Sequence, residues 1–315
     1  MKITVLDAAT LGADLDLSPL AALGELTVYD NTDPDAVVER LAATDVVVIN
    51  KIKINAANLA GNTRLKMIAE CATGFDNIDL AACRERGIAV ANVVGYSTHS
   101  VAQLTLAMAL SLSTNLKAFR RTVDSGSYTA GGVANCLTPV FHELCGKTWG
   151  VVGYGNIGRQ VAKVAEAMGC HVLAFAKSPK TGVENATLKE LFQRSDVVSV
   201  HLPLTPETRG IVSAELLSCM KPDAILINVA RGAVTDEAAL AEAVHSGRIG
   251  GLGVDVYSVE PFPADHPFQA LRGLDNVCLT PHMAWGAFEA RNRCLAEVAQ
   301  NIAAFGRGER RNRVD

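Results

Sequence analysis

Short apolar runs rich in β-branched residues alternate with stretches of helical periodicity along most of this chain. Before residue 98 the runs are 2–7, 25–30, 45–50, 66–71 and 88–93, and in the second half they are 148–155, 170–176, 196–202, 224–230, 251–257 and 276–281. Apolar strands separated by helices are typical of parallel sheets that are covered by helices on both faces. The pattern therefore predicts an α/β fold with two doubly wound, Rossmann-like domains, the first of them flavodoxin-like.

The two series of strands are separated by a long helical stretch from about Thr98 to Val123 and a loop from 124 to 139 that is rich in glycine and small polar residues. Helical periodicity returns after Trp285. We expect this last helix to cross back to the first domain, which would make that domain discontinuous. The predicted domains are 1–98 with 286–315, and 99–285.

Composition and charge exclude several classes of protein. A charged fraction of 20% and a formal net charge of -4 do not predict binding to nucleic acid or to a membrane surface, which would need clustered Lys and Arg. The basic tail after Arg307 is interpreted as a solvated, frayed terminus. Asp7 interrupts the opening apolar run too early for a secretory signal, and the apolar stretch 101–116 is too short to span a bilayer.

The eight cysteines have neither CxxC nor zinc-finger spacing, so no metal site is predicted. Reduced, mostly buried thiols are typical of cytoplasmic proteins, and we expect a cytoplasmic location.

The segment Gly153-Tyr154-Gly155-Asn156-Ile157-Gly158 has the spacing G-x-G-x-x-G. A predicted strand leads directly into it and a predicted helix follows, which is the context of a dinucleotide-binding loop. In such a loop Gly153 permits the tight turn, Gly155 permits close approach of a pyrophosphate, and Gly158 permits close packing of helix on strand. The N–H groups and dipole of the new helix then bind the phosphates.

The end of the next strand usually decides between NAD and NADP, because an acidic residue there binds the ribose 2′-hydroxyl and repels a 2′-phosphate. This chain has Ala176, Lys177 and Ser178 at that place, with no carboxylate nearby. The residues favour NADP or dual use over NAD alone.

Three polar residues follow three predicted strands of the second domain: Arg231, Glu260 and His282. Open α/β sheets bind their ligands at these carboxyl ends of the strands. Reduction of a 2-keto acid needs a proton donor near neutrality, which His282 can be, and a carboxylate that orients the imidazole, which Glu260 can be. Arg231 offers a permanently charged fork for the substrate's carboxylate and carbonyl.

The motifs together resemble the D-isomer-specific 2-hydroxyacid dehydrogenases over nearly the whole chain. They include GKTWGVVGYGNIGRQVA, SDVVSVHLPLTPETRGIVS, MKPDAILINVARGAVTDEAAL, GLGVDVYSVEP and TPHMAW. The resemblance implies that Arg231 binds substrate, that Glu260 partners the histidine and that His282 is the acid/base. It also implies a homodimer, a cleft between the domains that closes over the keto acid, and cofactor contacts from Asp255 and from the backbone of Val229, Ala230 and Arg231.

Segments of the first domain, such as ATGFDNIDL and VVGYSTHSVAQLTLAMALSL, resemble the glycerate dehydrogenase / hydroxypyruvate reductase branch. This resemblance implies that the loop Ala72-Thr73-Gly74 offers N–H groups to the substrate carboxylate. Lys51 is a further candidate for that cleft, although a solvated loop lysine is an equally good interpretation. Tyr128 stands where a tryptophan is common in the family, which weakens the inference of a dimer.

Other functions remain open at this point. A reductase of glyoxylate or of a bulkier 2-keto acid fits the same scaffold. A nucleotide-sensing, corepressor-like binding protein also fits the fold, because fold does not fix function. Such a protein would not need Arg231, Glu260 and His282 together. A Rossmann methyltransferase is not favoured, because the HLPLTPET and NVARG segments match nothing expected there.

Overall fold

The computed structural model describes residues 1–315. The chain divides into two compact units, one made of Met1–Ser97 with Gly286–Asp315 and the other of Thr98–Trp285. These bounds differ from the predicted domains by one residue, at the first boundary.

The first unit contains a five-stranded parallel sheet in the order β2-β1-β3-β4-β5. Every residue of the central strands β3 and β4 is buried, and all of them are apolar except Glu70, the last residue of β4. The order is that of a flavodoxin-like sheet, as predicted. The strands are β1 Lys2–Val5, β2 Glu25–Val28, β3 Val46–Ile49, β4 Met67–Glu70 and β5 Ala89–Ala91, and the helices are α1 Ser18–Ala21, α2 Val37–Ala42, α3 Leu80–Glu85 and α11 Phe288–Gly306.

The C-terminal tail is ordered against this sheet, and the prediction of a frayed terminus is wrong. Arg313 forms an antiparallel bridge with Ala91, and the N–H of Val314 donates to the carbonyl of Val90 at 2.9 Å. Arg313 is also paired with the carboxylate of Asp315. The tail residues Arg313 and Val314 therefore cover the edge of β5.

The second unit contains a seven-stranded parallel sheet in the order β12-β11-β10-β9-β6-β7-β8. The chain starts in the middle at β6, builds outward on one side, and then returns to build the other side from β9, which is the doubly wound order of dinucleotide-binding domains. The strands are β6 Thr148–Val152, β7 His171–Phe175, β8 Glu184–Asn185, β9 Val197–Val200, β10 Ile225–Asn228, β11 Gly251–Val254 and β12 Val277–Leu279.

The helices of this unit differ from the prediction at two places. The stretch 124–139, predicted as a loop, contains the short helix Ser127–Gly131. The long stretch after Thr98 is broken at Asn115, whose φ of 50° lies in the left-handed region. No helix of the protein combines the length and the apolarity needed to cross a membrane. The helices are α4 Thr98–Ser113, α5 Leu116–Asp124, α6 Ser127–Gly131, α7 Asn156–Ala167, α8 Leu188–Arg194, α9 Ala214–Cys219 and α10 Glu237–His245.

Candidate active site

The three glycines of the loop after β6 have different surroundings. Gly153 has a φ of 101°, and a Cβ there would lie 2.8 Å from the carbonyl carbon of His201. A Cβ at Gly158 would overlap the carbonyl oxygen of Gly153. At Gly155 a Cβ would have no heavy atom within 4 Å. The first and third glycines are thus required by packing within the protein, whereas Gly155 faces open space beside the loop.

Helix α7 starts directly at this open space. Gly155 occupies its N-cap position and provides no side chain to bind the first N–H groups of the helix. Asn156 and Ile157 form its first turn, so their N–H groups and the positive end of the helix dipole are directed toward that space. A dinucleotide pyrophosphate fits this arrangement of backbone donors and missing side chains.

The loop after β7 contains the residues that were predicted to contact the ribose. Ala176 is half-buried, and Lys177 and Ser178 are exposed. The Lys180 ammonium lies 3.3 Å from the Ser178 hydroxyl. Asn185 fixes the loop through bonds with the N–H and carbonyl of Lys180, at 2.7 and 2.8 Å. The loop therefore presents ammonium and hydroxyl groups and no carboxylate.

The three predicted catalytic residues follow three adjacent parallel strands. Arg231 lies three residues beyond β10, Glu260 six residues beyond β11, and His282 three residues beyond β12. Because β11 pairs in parallel with both β10 and β12, the three segments all follow the carboxyl ends of neighbouring strands, on the same side of the sheet.

Glu260 and His282 form a direct pair. The His282 Nδ1 atom lies 2.6 Å from Oε2 of Glu260, and the other oxygen, Oε1, accepts the N–H of Tyr257 at 2.9 Å. The His282 side chain is 21% exposed and the Glu260 side chain is 30% exposed. The Tyr257 N–H thus fixes one oxygen of the carboxylate, while the other oxygen fixes the orientation of the imidazole ring.

The backbone at His282 is left-handed, with a φ of 52°, which is uncommon for a residue with a side chain. Its N–H donates to the carbonyl of Asp255 at 2.8 Å, and Trp285 Nε1 donates to the His282 carbonyl at 3.0 Å. These bonds hold the backbone in a conformation that the chain would otherwise leave.

Asp255 also supports this segment with its carboxylate. Oδ1 accepts the Thr280 hydroxyl at 2.6 Å and the Met283 N–H at 2.9 Å, while Oδ2 accepts the Ala284 N–H at 2.8 Å. Burial raises the pKa of the Asp255 carboxyl, and the same hydrogen bonds act in the opposite direction. The sequence predicted Asp255 as a cofactor contact; in the structure its carboxylate organises the turn that carries His282.

The turn that carries Arg231 is fixed by Asn228, the last residue of β10. The Asn228 Nδ2 donates to the Arg231 carbonyl and its Oδ1 accepts the Ala230 N–H, both at 3.0 Å. Arg231 itself donates from Nη1 to the Ala230 carbonyl at 2.8 Å. Val229 and Ala230 are buried. The guanidinium therefore extends from a rigid turn.

In the first unit, Lys51 follows β3 and the loop Ala72-Thr73-Gly74 follows β4, so both lie at one edge of that sheet. The Lys51 N–H donates to Asp7 at 2.6 Å. The Thr73 carbonyl accepts the Asn92 amide and the Thr73 hydroxyl donates to the Val93 carbonyl, both at 2.7 Å. These bonds fix the loop backbone.

Several of these supporting residues were not singled out from the sequence. Asn228 and Thr280 are polar residues at the ends of mostly apolar strands. The Asn228 amide bonds to the backbone of the turn that follows, and the Thr280 hydroxyl donates to the Asp255 carboxylate. The position of Asn228 inside the apolar run AILINVA could have indicated a structural role, since a buried amide in a strand needs a specific hydrogen-bond partner.

Comparisons with known proteins identify the family of this chain. Residues 106–284 match the family model described as "D-isomer specific 2-hydroxyacid dehydrogenase, NAD binding domain". The chain is 36% identical to a glycerate dehydrogenase of Methylorubrum extorquens over 100% of this chain and 99% of the relative, and 35% identical to a hydroxypyruvate reductase of Blautia hydrogenotrophica over 100% of both.

Among solved structures, the D-lactate dehydrogenase of Aquifex aeolicus, complexed with NAD and lactic acid, has a TM-score of 0.87 to this chain. The two are 30% identical over 98% of this chain and 96% of that one. A corepressor-like binding protein is not favoured, because the full-length relatives are named as dehydrogenases and reductases. This chain is an NAD(P)-linked oxidoreductase, and it belongs to the D-isomer-specific 2-hydroxyacid dehydrogenase family.

Proposed function

We propose that this enzyme interconverts hydroxypyruvate and D-glycerate. The observation that carries the proposal is the Glu260–His282 pair, joined at 2.6 Å at the edge of the sheet from which the Arg231 turn also emerges. The relatives from Methylorubrum extorquens and Blautia hydrogenotrophica carry the names of the two directions of this reaction.

Each residue of the set has one role in the proposed reaction. Because Nδ1 of His282 is engaged by Glu260, Nε2 is the atom that gives its proton to the carbonyl oxygen during reduction and takes it back during oxidation. Glu260 balances the charge of the protonated ring and keeps the ring oriented. Arg231 binds the substrate carboxylate and polarises the carbonyl. The nicotinamide cofactor, when bound, supplies or accepts the hydride at the carbonyl carbon.

The cofactor would be held by three groups of residues in the second unit. The loop and first turn of α7 bind the pyrophosphate, through Gly153, Gly155, Asn156, Ile157 and Gly158. The turn after β10 and the end of β11 contact the nicotinamide side, through Val229, Ala230 and Asp255. The ribose would be bound by Ala176, Lys177 and Ser178, and the lack of a carboxylate there favours NADPH.

Ala176→Asp tests the ribose assignment. The new carboxylate should accept a hydrogen bond from a ribose 2′-hydroxyl and repel a 2′-phosphate, so the ratio of kcat/KM for NADH to that for NADPH should rise by about tenfold or more. Ala176→Asn is the matched control, since it has the same size without the charge. An unchanged ratio in Ala176→Asp would place the ribose elsewhere.

We assign substrate binding in the first unit to the backbone of Ala72, Thr73 and Gly74, with Lys51 as a further contact. The support is the fixed backbone of this loop and its position at the carboxyl edge of the sheet. Backbone N–H groups in such a loop suit a carboxylate, because they bind the negative charge without the loss of entropy that ordering a side chain would cost.

The proposed function is tested by initial rates on hydroxypyruvate and on glyoxylate, each with NADPH and with NADH, followed by nicotinamide absorbance. We expect turnover of hydroxypyruvate, faster than that of glyoxylate and faster with NADPH. A higher kcat/KM on glyoxylate would assign the enzyme to that substrate instead. Binding of cofactor without turnover of either acid would contradict both assignments.

We also propose a homodimer formed through the segment around α4–α6. Eight of the sixteen large apolar side chains that are exposed lie within 110–141, and a patch of this kind is typical of a contact surface. Sedimentation velocity should give about twice the chain mass of 33.2 kDa, and Leu137→Asp with Val140→Asp should give the monomer. A wild-type protein that sediments as a monomer at micromolar concentration would refute the dimer. The eight are Leu110, Leu116, Val123, Tyr128, Val133, Leu137, Val140 and Phe141.

A further inference from the structure

A second carboxylate–histidine pair, Glu237 with His266, lies in the same unit and is not among the residues assigned to substrate or cofactor above. The Glu237 and His266 side chains are only 10% and 5% exposed, and His266 Nε2 lies 3.1 Å from Oε2 of Glu237. A carboxylate that is this buried is costly unless its hydrogen-bonding capacity is used. The contacts of Glu237 show where that capacity is used.

Both oxygens of Glu237 bind one residue, Ser258. Oε1 accepts the Ser258 N–H at 2.8 Å, and Oε2 accepts the Ser258 hydroxyl. Glu237 is the first residue of α10, so its negative charge lies at the positive end of the helix dipole. The carboxylate is thus stabilised by the helix and directed at the turn after β11.

His266 holds Glu237 in a single orientation. The N–H of Phe268 donates to Nδ1 of His266 at 3.2 Å, so the ring proton is on Nε2 and is donated to Glu237. The rings of Phe262 and Phe268 pack on the imidazole, each with a centroid distance of 4.9 Å. Neither the ring nor its proton can rearrange without the loss of one of these contacts.

Ser258 lies between two groups of the proposed active site. Its neighbour Tyr257 donates its N–H to Oε1 of Glu260, whose Oε2 binds His282. On the other side, a Cβ at Gly232 would overlap the backbone of Tyr257 and Ser258, so the residue after Arg231 is in close contact with this turn. A shift of Ser258 would therefore move the support of Glu260.

We propose that Glu237 is a positioning residue: by binding Ser258 it holds the Tyr257–Glu260 turn, and through that turn it orients the Glu260 carboxylate toward His282. His266 fixes the orientation of the Glu237 carboxylate through the bond from its Nε2 atom. The inference rests on the proposed catalytic role of Glu260, and it adds a residue that acts on the reaction without touching the substrate.

The variant that tests it is Glu237→Gln. A glutamine can accept the Ser258 N–H, but its NH₂ group then faces the Nε2–H of His266, and two donors cannot pair. We expect kcat for the 2-keto acid that is turned over fastest to fall by about tenfold, since misplacement of a catalytic group by about 1 Å costs up to about 10²-fold. KM for the keto acid and the Kd for NAD(P)H should change by less than about twofold, because Glu237 is not one of the residues assigned to either binding site.

A double-mutant cycle with Glu260→Gln separates positioning from a merely structural role. If Glu237 acts through the Glu260 carboxylate, the double variant should have the kcat of Glu260→Gln alone, within about twofold. A general loss of stability would instead lower kcat by the product of the two single effects. Glu242→Gln, on the exposed face of α10, is the matched control and should keep the wild-type kcat.

The outcomes are distinct. A wild-type kcat in Glu237→Gln together with a lowered kcat in Glu260→Gln overturns this proposal alone. A wild-type kcat in Glu260→Gln refutes the proposed role of Glu260 and this inference with it. If Glu237→Gln does not fold, Ser258→Ala replaces it: this variant keeps the backbone bond to Glu237, loses the hydroxyl bond, and should lower kcat about threefold in the wild type and not in Glu260→Gln.

Discussion

His282→Ala should lower kcat by about 10²–10⁴-fold, because the carbonyl oxygen then has no positioned proton donor during reduction. Binding of NAD(P)H should be nearly unchanged, since the loop at Gly153–Gly158 and the N-terminus of α7 do not include His282. The measurements are the steady-state kcat and the Kd for NAD(P)H from fluorescence titration.

The exposed histidine at the end of α10 offers a control for this variant. His245→Ala should retain the wild-type kcat, because this side chain faces solvent. If His282→Ala also retained it, His282 would lose its assigned role, and Glu260 would have to be explained as a support of the turn only.

Arg231→Ala should lower kcat/KM by about 10²–10³-fold, with KM raised and kcat lowered together. The guanidinium is assigned to both the substrate carboxylate, which affects binding, and the polarised carbonyl, which affects the chemical step. Arg231→Lys should recover only part of the loss, because an ammonium keeps the charge but cannot form two parallel hydrogen bonds.

The exposed Arg209 of the same unit provides the comparison, and Arg209→Ala should leave kcat/KM unchanged. An Arg231→Ala variant with the kcat/KM of the wild type would show that the carboxylate is bound elsewhere. Equal activity of Arg231→Lys and wild type would show that charge alone is sufficient.

The sheets could be predicted from the sequence because their central strands are buried on both faces and are mostly apolar. β3, β9 and β10 each follow this pattern, and all are buried along their length. β8 was not predicted, because a strand of two exposed residues has no periodicity. The break between α4 and α5 was also missed, because a left-handed conformation at Asn115 leaves little trace in an apolar helical pattern.

The positions of Arg231, Glu260 and His282 after adjacent strands also followed from the sequence, since parallel strands place their carboxyl ends at one edge. The bonds that hold these residues did not. Glu237 and Ser258 are 21 residues apart, and the tail pairs with β5 over more than 200 residues, as in Val90 with Asp315. Pairing at such separations depends on the folded arrangement and not on local pattern.

The discontinuous first unit has a consequence for the order in which the protein folds during synthesis. Residues 98–285 form a continuous unit, so its seven strands are available once Trp285 has left the ribosome. The first unit needs α11 and the tail that pairs with β5, and these are made after the whole of the second unit. Although its strands precede the second unit in the chain, the first unit is the later of the two to be completed, against the usual order in which domains fold from the N-terminal side onward.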